Sequence, residues 1–168
     1  MSWTDRFPER ASGALWRFAA AFYDRPGVAP ACLDLQDRFG RDVTLLLYAC
    51  WIGIDGRGRL SLADLVRAQA AAEPWRGAVV APLRAVRRFV KEALDATELH
   101  NAVTAAELEA EHVALDRLEV LAPPRRATAT EPLADALANL ALYLGPGPVA
   151  DAAIPLRLAL AETAPRPD

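Results

Sequence analysis

Between Val43 and Ile54 the chain reads V-T-L-L-L-Y-A-C-W-I-G-I, and winding it at about 100° per residue leaves no polar stripe. A helix apolar all round is enclosed on every side, by other helices or by lipid. Its length of about 18 Å falls short of the roughly 20 residues that a bilayer requires. The pattern therefore predicts the buried central helix of a helical bundle. Asp42 before it is a natural N-cap, and Asp55-Gly56-Arg57-Gly58 after it is a stop.

The other periodic segments arrange themselves around that one. From about Ser12 to Tyr23, Leu15, Phe18, Ala19, Phe22 and Tyr23 share a face, and Arg25-Pro26-Gly27 ends the run. A second helix, about Ala29 to Phe39, has Pro30 in its first turn and stops at Gly40. Ser61 caps a fourth helix (Leu62 to Ala72), which Pro74 is expected to close. A fifth, Trp75 to about Leu94, has Val79, Leu83, Val86, Val90 and Leu94 as its core face, with a kink or restart at Pro82. Residues 98–122 form a long acid-rich helix.

Pro123-Pro124 then begins a linker, residues 123–130. Thr130 caps a helix carrying Leu133, Ala136, Leu137, Leu140, Ala141 and Leu144 at helical spacing, and Gly145-Pro146-Gly147-Pro148 stops it. A last helix, about Ala150 to Glu162, contains Pro155, and residues 164–168 read as a loose tail. No stretch demands a strand. The expected class is all-α: a bundle over residues 1–122 with a short N-terminal arm on which Trp3 and Phe7 could dock. A C-terminal helical hairpin at 131–168 either packs on that bundle or contacts another chain.

Composition narrows the function classes. A chain of 168 residues, 53% hydrophobic and 24% charged, is long enough to bury a core without disulfides or metals. A net charge of −3 and a pI near 5.4 argue against broad nucleic-acid binding. Cys32 and Cys50 occupy apolar helical positions and read as buried thiols. The first residues contain no apolar run of the kind a signal peptide needs, and no segment spans a membrane, so the expectation is a cytoplasmic protein.

Several stretches together resemble a known family. They are Leu15-Trp16-Arg17-Phe18-Ala19, Cys32-Leu33-Asp34-Leu35-Gln36-Asp37 with Gly40, Asp42-Val43 and Leu45-Leu46-Leu47, and Trp75-Arg76 with Val79-Val80. Pro82-Leu83-Arg84 with Arg87-Arg88 and Lys91, then Ala106-Glu107-Leu108-Glu109-Ala110-Glu111, complete the set. Over about residues 12–122 the chain is similar to a proteobacterial conserved hypothetical family of small helical proteins. That family has Asn at the position of Thr44, and the resemblance implies no activity, cofactor or catalytic residue.

The residues themselves offer two candidate sites. Arg84, Arg87, Arg88 and Lys91 recur at i, i+3, i+4 and i+7 and form a basic strip beside the core face. Their guanidinium forks suit a carboxylate or phosphate, or a protein partner. Internal salt bridges to Asp34, Asp37, Asp42, Glu107 and Glu111 are the favoured reading. Gln36, Asp37, Asp42 and Trp51 mark a candidate pocket between helices two, three and five, although Gln36 more readily ties the Gly40-Arg41-Asp42 loop to the body. Glu109-x-x-His112 is one half of a di-iron pattern without its second half, and no metal or cofactor is expected. No nucleophile elbow, phosphate loop or dinucleotide fingerprint is present. The expectation is a non-catalytic interaction or regulatory module with an unidentified protein partner on the strip. The alternative is a binding protein or enzyme for a small anionic or apolar ligand, and self-association could run through 131–163.

Overall fold

The apolar run is a helix, α3 (Val43–Ile54), buried continuously from Thr44 to Gly53. Asp42 starts it: its Oδ1 accepts from the Thr44 N–H at 2.8 Å, from Thr44 Oγ1 at 2.6 Å and from the Leu45 N–H at 3.4 Å. Donors that have no partner inside the helix are thereby satisfied. The computed structural model of the protein describes residues 13–93, 95–127 and 131–163. Among the described residues the chain is all-α and contains no strand. Before α3 come α1 (Ala14–Tyr23) and α2 (Val28–Phe39). After it come α4 (Leu62–Trp75), α5 (Ala81–Lys91), α6 (Thr97–Val120), α7 (Pro132–Leu144), α8 (Pro148–Ala152) and α9 (Ile154–Thr163). No helix among the described residues is long and apolar enough to cross a membrane.

Helices α1, α2, α4, α6 and α7 all touch α3, which is why that helix needs no polar face. Trp51, Tyr48, Phe22, Leu15, Leu35, Leu46, Leu115, Leu118, Leu140 and Leu144 are the large side chains of the resulting core. Each leucine closed off in this way contributes about 2 kcal/mol of apolar burial. The approach of α7 to α3 is the tightest. A methyl group added at Gly53 would stand 2.1 Å from the Ala136 backbone nitrogen, so the two helices cross with their backbones in contact. The buried Asn139 fixes the loop beneath, accepting from the Leu60 N–H at 2.7 Å and donating to the Gly58 carbonyl at 3.1 Å. The Pro123-Pro124 segment is pinned to the end of α3: Arg57 donates to the Pro123 carbonyl at 2.5 Å, and Arg125 pairs with Asp55.

Three expectations change. Pro74 does not close α4. The helix runs on through a π-helical turn, Arg76–Val80, into α5, with the Ala81 N–H bonded back to the Arg76 carbonyl. A π turn adds one residue to the cycle and rotates everything after it. That rotation moves Val86 outward, to 45% exposure, and turns Arg84 and Arg87 inward, while Val80 and Val90 are the buried valines of this rod. The expected final helix is divided at Ala153, because Pro155 fits the first turn of a helix and disrupts an interior. Ala141, assigned above to the apolar stripe, is exposed, and Asn139 and Tyr143 are buried in that face instead. The expected arm with Trp3 and Phe7, the start at Ser12, Leu94, the Thr130 cap and the tail 164–168 lie outside the described residues.

Candidate functional site

Arg84 and Arg87 project from one side of α5, and Glu107 and Glu111 from the facing side of α6. Arg84 Nε donates to Glu107 Oε1 at 3.0 Å and its Nη2 to Glu111 Oε1 at 2.8 Å. Arg87 Nε donates to Glu107 Oε2 at 2.5 Å. Arg88 pairs with Asp37 of α2 in the open, and Lys91 is exposed with no ion pair among the described residues. Asp34 pairs within its own helix with Arg38, and Asp42 is committed to the cap of α3. The basic strip is thus a seam of ion pairs between α5, α6 and α2.

That seam divides a polar cleft. A recess of about 170 Å³ is lined by Gln36, Asp37, Arg41, Asp42, Thr44, Arg76, Arg84, Arg88 and Glu111. A second, of about 130 Å³, is lined by Tyr23, Leu33, Gln36, Thr44, Leu47, Arg84, Arg87, Thr104, Glu107 and Glu111. Gln36, Val43, Thr44, Arg84 and Glu111 line both. A wider recess of about 430 Å³ lies beyond Arg41, Asp42 and Arg76, bounded by Leu45, Val66, Gln69, Glu73 and Tyr143. The Gly40 turn shapes this end: at φ +62° it takes the left-handed conformation that ends α2 and redirects the chain, with the Gly40 and Arg41 N–H groups bonded to Gln36 and Leu35. Tyr143 Oη clamps the turn, accepting from the Asp42 N–H at 2.8 Å and donating to the Asp42 carbonyl at 3.0 Å.

Glu111 has unusual chemistry in this setting. Burial pushes its carboxyl up to about 7; Glu107 and Asp42 push the same way, and Arg84 pulls against them. Burial also raises the Tyr23 hydroxyl above its ordinary range, reinforced by Cys32 and Glu111. The Cys32 thiol, buried beside Glu111, is pushed up to about 12, so it is no thiolate at neutral pH. What the cleft presents is a proton-exchanging carboxyl, paired guanidinium groups, a side-chain amide and a hydroxyl.

Gln36, Asp37 and Asp42 line the first recess together. Gln36 does not hold the Gly40-Arg41-Asp42 loop, however: among the described residues its amide bonds to the adjacent Asp37, at 3.4 Å, while Tyr143 holds that loop. Trp51 lines none of these recesses and lies buried beneath Arg57, 4.5 Å from ring centroid to guanidinium. His112 stacks on Trp16 at 3.8 Å and lines none of these recesses. Sequence reasoning missed Arg41, Arg76, Tyr143 and Thr44. Arg76 was hidden by the expected break at Pro74, whereas the Thr44 departure from the family pattern was a signal.

A family model described as Protein of unknown function (DUF2390) matches residues 14–118, which include α1–α5 and nearly all of α6. No curated protein and no solved structure matches the chain.

Proposed function

The chain belongs to that family, and from this premise we propose that it is a small-molecule-binding protein whose polar cleft lies between α2, α3, α5 and α6. One observation carries the reading: Arg84, Glu111, Gln36 and Thr44 line two adjoining recesses, and burial brings the Glu111 carboxyl up to about 7. Perturbed carboxyls gathered with convergent polar groups in a concave site mark binding and catalytic centres more often than plain surface. Binding of an anionic group favours protonated Glu111, and binding of a cationic group favours its ionised form.

The test is a thermal-shift screen with succinate, inorganic phosphate and ethanolamine, run on wild type and Gln36→Leu. Gln36 makes a single long hydrogen bond to Asp37, so its loss leaves stability within about 0.5 kcal/mol. A stabilising compound that loses its effect in Gln36→Leu supports the cleft; stabilisation equal in both proteins contradicts it.

A protein-interaction reading rests on a separate observation. Phe89 is 82% exposed on the outer face of α5, near Val86, Arg88 and Lys91. A partner docked there is lost on Phe89→Asp, whereas undiminished capture by the folded variant counts against it. Self-association through 131–163 would use Ile154 and Leu158, both exposed, and light scattering of Leu158→Glu reads it out. The buried free thiols of Cys32 and Cys50 suit a reducing, cytoplasmic setting.

A further inference from the structure

Arg41 differs from the arginines of the seam. Its Nη2 donates to the Leu144 carbonyl at 2.8 Å, which holds the guanidinium at the C-terminal end of α7, 5.9 Å from the Tyr143 ring. Among the described residues no acidic side chain pairs with it, and its Nε is buried without a hydrogen-bond acceptor. Leaving such a donor unmet costs about 1–3 kcal/mol, and more when the group is charged. In folded proteins a buried donor of this kind is ordinarily answered by protein, water or a bound group.

Arg76 stands with Arg41 on the border between the first and third recesses. The π turn places it there. Its Nε and Nη2 donate to Glu73 at 2.9 and 2.7 Å, and Asp42 Oδ2 lies 3.9 Å from Nε. Asp42 opposes an incoming anion, but its Oδ1 is committed to the α3 cap and Arg76 faces its Oδ2. Around the first recess four arginines (41, 76, 84, 88) face three acids (Asp37, Asp42, Glu111), and Glu73 of the third recess, paired with Arg76, brings the two signs level. Three of those arginines have carboxylate partners, and among the described residues Arg41 has none.

We propose that Arg41, with Arg76 beside it between the two recesses, binds the oxyanion of a small ligand, a carboxylate or a phosphate group. The seat rests on the cleft reading above and names the ligand chemistry of its open end. The planar guanidinium lines both recesses with no carboxylate partner among the described residues, and both carboxylates and phosphates match its geometry.

The test is isothermal titration of the full chain with inorganic phosphate and, separately, with succinate at low ionic strength, so the two arms distinguish the two oxyanions. Wild type binds one of them. Arg41→Gln and Arg76→Gln each weaken it by about tenfold or more, the usual consequence of losing one charge-assisted hydrogen bond. Arg41→Lys does not restore it, because an ammonium lacks the planar fork of donors. Arg38→Gln, whose side chain pairs with Asp34 outside the cleft, leaves it unchanged. Because Arg41 also holds Leu144, its variants could loosen α7; Arg76, on the partly exposed border, keeps the test decisive. No heat from either anion, or equal affinity in wild type and Arg76→Gln, overturns the oxyanion seat. A panel compound whose binding needs Gln36 but neither arginine would overturn the seat and leave the cleft standing. Anion binding that needs both arginines but not Gln36 would do the reverse.

Discussion

Glu107 accepts from two arginines at once, from Arg84 Nε at 3.0 Å on Oε1 and from Arg87 Nε at 2.5 Å on Oε2. With Glu107 only 6% exposed, this contact is a buried ionic link between α5 and α6. Glu107→Ala strands two partly buried guanidinium groups, and breaking such a pair costs about 3 kcal/mol. For a chain of this size that lowers the thermal midpoint by roughly 6–12 °C. The reversal Arg84→Glu is at least as damaging. Calorimetry showing under about 0.5 kcal/mol for Glu107→Ala would mean the seam is ornamental.

The α3–α7 crossing predicts a steric penalty at Gly53. A Cβ there meets the Ala136 nitrogen at 2.1 Å and its Cα at 2.3 Å, and backbone atoms have little room to give. Gly53→Ala is expected to cost about 3 kcal/mol in urea unfolding, the upper end for overpacking. Gly77→Ala is the control, with nothing nearer than Glu73 Oε1 at 4.0 Å, and it is neutral or stabilising by up to about 1 kcal/mol. Equal effects from the two would contradict the close crossing.

Helix α1 is capped from a distance. Glu119 of α6 accepts from the Ala14 and Leu15 N–H groups, both at 3.0 Å, and no side chain of α1's own N-cap serves them. A carboxylate also suits the positive end of the helix dipole. Glu119→Ala is expected to destabilise by about 1 kcal/mol and to speed hydrogen exchange at Ala14 and Leu15 before exchange in α3 changes. Unaltered exchange at those amides would show the cap to be idle.

The Glu111 carboxyl makes stability depend on pH in a defined direction. Its folded pKa, about 7, lies above the ordinary value of 4.5, so the folded chain binds the proton more tightly between those limits. Its contribution is fully present below pH 4.5 and is lost as pH rises through 7, on the order of 2–3 kcal/mol in all. Arg84, Glu107, Asp42, Tyr23 and Cys32 surround it electrostatically and remain in place in Glu111→Gln. That variant is expected to lack the decline, and a wild-type curve flat from pH 4.5 to 7 would refute the assignment.

The frame was legible because hydrophobic pattern and end signals agree along most of it. Asp42, Ser61 and Gly40 each start or stop a helix where the sequence placed them. The charged seam was legible as a spacing but not as a direction. Deciding whether Arg84 and Arg87 face outward depends on the π turn between Pro74 and Pro82, which a regular 3.6-residue spacing does not signal. Asn139 was passed over for the same kind of reason: a buried amide inside an apolar stripe is visible only once Gly58 and Leu60 arrive beside it. Arg41 and Arg76 come together through the α2–α3 turn and the π turn after α4, distant in sequence, and no periodicity joins them.

The most direct measurement of the central claim is amide chemical-shift mapping of the labelled protein while succinate, inorganic phosphate and ethanolamine are added in turn. The cleft reading predicts saturable shifts gathered on Gln36, Thr44, Arg76 and Glu111, with little change along Val86–Phe89. Shifts confined to the outer face of α5, or none with any of the three, would contradict it.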